Sequence, residues 1–139
     1  MEMKSKSKDS PAVIAALSHI EAWSNHQWDK ARKLLAPDVH VIAMTTQPNL
    51  PTTDLTGIDA YMEGLKKFAE PIEKGSAHVL SSIGDENNAL ITLTVKVALG
   101  PGPLITLPGS RLYLFDENKK LKSERIVFFA LSGASMPKM

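Results

Sequence analysis

Arg111 and His19 are the two residues of this chain whose surroundings in sequence best suit chemistry. Arg111 stands among apolar neighbours in Leu107-Pro108-Gly109-Ser110-Arg111-Leu112-Tyr113-Leu114-Phe115. On a strand it shares one face with Tyr113 and Phe115. A desolvated, unpaired charge costs several kcal/mol, so an arginine placed there needs a partner. Its planar fork suits a ligand carboxylate. An internal ion pair with Glu124 on the next strand, or exposure on the outer face, would satisfy it equally. His19 lies beside an apolar helical stripe, one turn before Trp23. Imidazole titrates near neutral pH and can act as general acid or base, or it can simply bond to backbone at a core boundary. His26, His40 and His78 show neither His-x-His nor His-Glu-x-x-His spacing, so no metal is expected. Gly100-Pro101-Gly102-Pro103 is too rich in proline to present successive N–H donors to a phosphate, and no cofactor is expected.

The elements that must position these residues follow from periodicity. Val13, Ala16, Leu17, Ile20 and Trp23 recur at helical spacing, with Ser10 to cap and Pro11 in the first turn. Trp28, Ala31, Leu34 and Leu35 restart the pattern as a second short helix, which Pro37 stops. Val39, Val41 and Ala43 alternate with His40, Ile42 and Met44 as a first strand. Thr45 to Leu55 reads as a loop, either a flap over a cavity or a plain surface connection. Thr56 and Asp59 resemble a capping box, and Ile58, Tyr61, Met62, Leu65, Phe68 and Ala69 form the strongest helical stripe. Glu70-Pro71 ends it. Beyond Ser76 the period is two. Strands are predicted over 77–83, 89–99, 104–115 (with a bulge at Pro108-Gly109) and 121–131. The order is α-α-β-α-β-β-β-β, with a tail over 1–10, one domain over 11–132 and a second tail over 133–139.

Composition sets outer limits. A chain of 139 residues fits one core. Sixteen Lys and Arg against fifteen Asp and Glu leave a net charge of +1, and no basic stripe carries interleaved aromatics, so no nucleic-acid partner is expected. No apolar run has the length of a membrane span, and 1–10 lacks a signal peptide's apolar stretch. Cysteine is absent, which removes disulfides, thiolate metal sites and cysteine nucleophiles. A soluble, cytoplasmic protein is the reading.

The run from Ala22 through Trp23-Ser24-Asn25-His26-Gln27-Trp28 to Asp29, then Leu34-Leu35-Ala36-Pro37-Asp38-Val39-His40-Val41, resembles the opening of the nuclear transport factor 2-like superfamily. Thr56-Gly57-Ile58-Asp59-Ala60-Tyr61 is similar to the start of its third helix, and Tyr113 to Leu121 to its closing hairpin. The resemblance spans roughly residues 11 to 131 and implies an α+β cone, a curved mixed or antiparallel sheet wrapped around a long helix, with two helices at the N-terminus. It brings three chemistries to compare. Where the ketosteroid isomerases place a carboxylate base, this chain has Ala43; their tyrosine donor falls on His19 and their second acid near Arg111. Epoxide hydrolases of this fold use Arg-x-Asp, and here Arg111-Leu112-Tyr113 keeps only the arginine. SnoaL-like cyclases use an acid late in the last strand, where Ala130-Leu131-Ser132 stands. Each lacks an essential group, leaving His19 and Arg111 as the weak catalytic candidates.

The resemblance also implies an apolar pocket at the open end of the cone. Trp23, Met44, Tyr61, Phe68, Arg111, Tyr113 and Phe128 are expected to line it, and Gly64, where related chains carry bulk, to widen it. The leading reading is a SnoaL-like small-molecule-binding protein for a small hydrophobic or anionic molecule. The alternatives are an isomerase- or hydrolase-type enzyme using the same pocket, or a dimerisation scaffold with no ligand. Ile126 and Phe128 point one way on the last strand and Val127, Phe129 and Leu131 the other. Apolar residues on both faces suggest that a second copy covers the outer face, giving a homodimer.

Overall fold

A computed structural model describes residues 10–45, 53–98 and 101–128, without the side chains of Thr45 and Phe128. Helix α1 spans Pro11–Ser24 and α2 spans Trp28–Lys33. Strand β1 is Leu35–Thr45, β2 is Thr53–Thr56, and helix α3 is Ile58–Ala69. Strands β3 (His78–Gly84), β4 (Asn88–Val97), β5 (Ile105–Phe115) and β6 (Leu121–Phe128) follow. They form one curved, unclosed sheet in the order β2-β1-β6-β5-β4-β3. Among the described residues only the β1–β6 pair is parallel. The α+β cone expected from the resemblance is what the chain forms. Among the described residues no helix is long and apolar enough to cross a membrane.

Both long helices pack on the sheet's inner face. Helix α1 lies against β3, β4 and β5, and α3 against β1 and β2. Ser10 caps α1, its Oγ accepting from Val13 N–H at 3.2 Å and donating to the Asp85 carbonyl, which ties the helix start to the β3–β4 turn. On β4 the buried side chains Ala89, Ile91, Leu93, Val95 and Val97 alternate with exposed or half-buried Leu90, Thr92, Thr94 and Lys96, as predicted. Every second residue of a strand meets the helices, so the core and the site share one face.

Four local expectations are corrected. Helix α2 ends at Lys33, before Leu34 and Leu35, and Pro37 sits inside β1 where the β1–β6 register shifts between Leu35 and His40. A proline is tolerated there because the ladder is already interrupted. The segment read as a loop ends in strand β2, which pairs antiparallel with β1. Thr56 does not cap α3: the cap position is Gly57 at φ 97°, a left-handed turn that glycine enters freely, and its N–H bonds the Val39 carbonyl at 2.8 Å. No bulge forms at Pro108-Gly109, since the β4–β5 register runs unbroken from Asn88↔Leu114 to Val97↔Ile105. Pro108 stands opposite Thr94 of β4, and among the described residues β5 pairs with β6 as far as Gly109↔Phe128. The tail of the last strand, 129–131, lies outside the described residues.

Candidate functional site

Two structures meet at the inner face, an open cavity and a closed polar network behind it. The cavity measures about 520 Å³. Strand β1 contributes Val41 and Ala43, β2 contributes Thr53 and Leu55, and β6 contributes Glu124 and Ile126. The α3 wall carries Tyr61, Gly64, Leu65 and Phe68, with Glu63 and Lys67 at the exposed rim. Apart from Tyr61, Glu124 and the rim, these walls are apolar or nearly so.

The network starts where β5 and β6 bring Arg111 and Glu124 onto adjacent strands. Arg111 stands opposite Ile126 and Glu124 opposite Tyr113, so the two charges are diagonal neighbours on the inner face. Arg111 Nη1 donates to Glu124 Oε2, and both side chains are buried. Tyr61 Oη donates to Glu124 Oε1. That proton is then committed, so the 2.9 Å contact between Tyr61 Oη and His19 Nε2 requires an Nε2–H on the imidazole. Nδ1 is left as an acceptor for the Tyr113 hydroxyl at 3.2 Å. One chain of hydrogen bonds therefore joins α1, α3, β5 and β6. The guanidinium also lies 4.5 Å above the Trp23 ring and 5.1 Å from the Phe68 ring, which spreads its charge over two aromatic faces.

Burial governs the titration of this network. It pushes His19 down from 6.5 to about 4; Glu124 opposes that and Arg111 adds to it. The imidazole is therefore neutral at neutral pH. Burial, reinforced by the Glu124 carboxylate, raises the Tyr61 and Tyr113 hydroxyls above the ordinary phenol range. Burial works against the Arg111 charge, yet the Glu124 carboxylate raises its pKa overall.

The expected site residues fall into three groups. Tyr61, Gly64 and Phe68 line the cavity. Arg111, His19, Trp23 and Tyr113 are buried behind it in the network and its aromatic jacket. Met44 is 40% exposed, because alternation along β1 turns it away from Val41 and Ala43 and onto the outer face. The Phe128 side chain lies outside the described residues. Reasoning from the sequence did not name Val41, Ala43, Leu55 or Ile126 as lining residues. The alternation in β1 already grouped Val41 with Ala43, whereas Leu55 depended on a strand that was read as loop.

The profile of the SnoaL-like domain matches residues 16–123. The chain belongs to the SnoaL-like domain family. A comparison with curated protein sequences found no match. Among solved structures this SnoaL-like chain is similar to TerC co-crystallised with polyporic acid, at a TM-score of 0.73 and 14% identity over 94% of this chain and 100% of that one. It is similar to a putative SnoaL-like polyketide cyclase from Shewanella denitrificans, with a TM-score of 0.68 and 15% identity over 90% and 94% of the two chains. An LEH-like epoxide hydrolase from M. tuberculosis gives 0.65 and 15% over 85% and 82%. At these identities the likeness concerns the fold.

Two outcomes follow from the network. Arg111→Leu strands the Glu124 charge in the interior and should cost about 3–5 kcal/mol in urea unfolding. A neutral pair, Arg111→Met with Glu124→Gln, should recover most of that because Tyr61 keeps an acceptor. The second outcome concerns pH. The folded His19 refuses a proton that the unfolded chain accepts, so its contribution is complete above 6.5 and is lost as pH falls toward about 4. That contribution is on the order of 3 kcal/mol. Unfolding midpoints measured across this window should drop more steeply in the wild type than in His19→Gln.

Proposed function

We propose that this SnoaL-like chain is a small-molecule-binding protein whose cavity takes a predominantly apolar ligand. The observation that carries the reading is an open space with apolar walls, about 520 Å³ in size. Small-molecule sites commonly occupy ~300–1,000 Å³ with such linings. An isomerase or hydrolase needs an acid or base that touches its substrate. Glu124 has no accessible surface and Tyr61 is only 2% exposed, so binding is favoured over catalysis. A scaffold without a ligand would have no reason to keep the space unfilled. An anionic ligand would have to draw Arg111 away from Glu124, so an apolar ligand is favoured over an anion. TerC, a structure of similar fold, was co-crystallised with polyporic acid.

The proposal includes a homodimer formed through the outer sheet face. Ile83, Leu90 and Leu112 are exposed and stand in register across β3, β4 and β5, forming one apolar row. This row differs from the β6 residues that first suggested a second copy.

Titration with the neutral dye N-phenylnaphthylamine tests the ligand reading. The wild type should enhance its fluorescence, and Ala43→Phe, which fills the cavity from β1, should remove the signal with an unchanged melting temperature. Benzoate should not compete. A wild type that leaves the dye dark sinks the binding reading, and effective competition by benzoate restores the anion. For assembly, light scattering should give twice the chain mass, falling to the single mass in Leu90→Lys with Leu112→Lys. A wild-type monomer refutes the dimer.

A further inference from the structure

We propose that Leu55 and Gly64 together decide which ligands the cavity admits, Leu55 as its adjustable wall and Gly64 as the notch that seats it. The inference rests on the reading of the cavity as a ligand site and adds the residues that set its size selectivity.

Ala60, Tyr61, Gly64, Leu65 and Phe68 form the face that α3 turns to the cavity. Gly64 stands at the centre of that face and is the one member without a side chain. Glycine is among the least favourable residues in a helix interior, so its presence in mid-helix calls for a packing reason. The reason lies on β2. A Cβ at position 64 would fall 2.6 Å from Leu55 Cδ1, closer than carbon atoms approach. Leu55 therefore occupies the space that any other residue at 64 would claim.

The backbone of β2 has little room to yield. The strand is four residues long and pairs with β1 from His40↔Thr56 to Ala43↔Thr53. Gly57 N–H bonds the Val39 carbonyl at 2.8 Å just beyond its end. A 2.7 Å contact between His40 Nε2 and Asp54 Oδ1 ties the strands side chain to side chain. With the strand pinned, the flexible end of Leu55 is what gives way. It stands opposite Val41, itself a lining residue, so a Leu55 rotated off α3 turns into the cavity.

The test uses two neutral probes of different size, N-phenylnaphthylamine and naphthalene, with the full chain. One methylene in a hydrophobic pocket shifts discrimination about 10–200-fold, so Gly64→Ala should weaken the larger probe about tenfold and leave naphthalene within about twofold. Leu55→Ala alone should improve the larger probe. Leu55→Ala combined with Gly64→Ala should return it to within about threefold of wild type, because the two changes act on one contact. Alanine is the better helix residue, so Gly64→Ala should fold, and melting curves check that. The inference is overturned if Gly64→Ala affects both probes alike or neither, or if Leu55→Ala does not rescue it. A wild type that binds neither probe overturns the inference and the binding reading together.

Discussion

The buried contact between Arg111 and Glu124 is the constraint around which the rest of this cone is arranged. Two opposite charges inside a protein are costly unless paired; here both carboxylate oxygens are met, while Arg111 Nη2 makes no hydrogen bond among the described residues. Glu124 accepts from Arg111 on one oxygen and from Tyr61 on the other, and Tyr61 is met in turn by His19, and His19 by Tyr113. The chain of partners comes from two helices and two strands. Any shift of α1 or α3 along the sheet would leave one of them unpaired in an apolar interior.

That closed network determines what the cavity can be. Tyr61 and Glu124 stand in its lining, but both are buried and bonded to each other. The walls left facing the cavity are side chains such as Val41, Ala43, Leu55, Leu65 and Ile126. Phe68 separates the two regions, with its ring 5.1 Å from the guanidinium and also in the cavity lining. The lining of the cavity is therefore mostly apolar.

The family and the structural neighbours agree with the fold while naming several chemistries. A cyclase and an epoxide hydrolase share this cone with the chain at 15% identity. One scaffold serves different ends because the site depends on a few inward positions. Here those positions include Ala43, Gly64 and Ile126.

The sequence by itself determined the succession of elements. Helical spacing in α1 and α3 and strict alternation in β4 are local patterns, set by the turn of a helix and the pleat of a strand. It also contained the Arg111–Glu124 alternative, because two lone charges on neighbouring apolar strands have few other ways to be satisfied. What it did not contain was the relation between distant segments. Leu55 meets Gly64 only once a short edge strand forms on β1, and nothing in the proline- and threonine-rich run before it carries strand periodicity. His19 joins Tyr61 and Tyr113 across 42 and 94 positions of chain. Whether Arg111 faces a ligand or an internal carboxylate depended on the parity and register of β5 against β6. Register between strands is set by pairing and turns across the whole sheet, so only the tertiary structure could decide it.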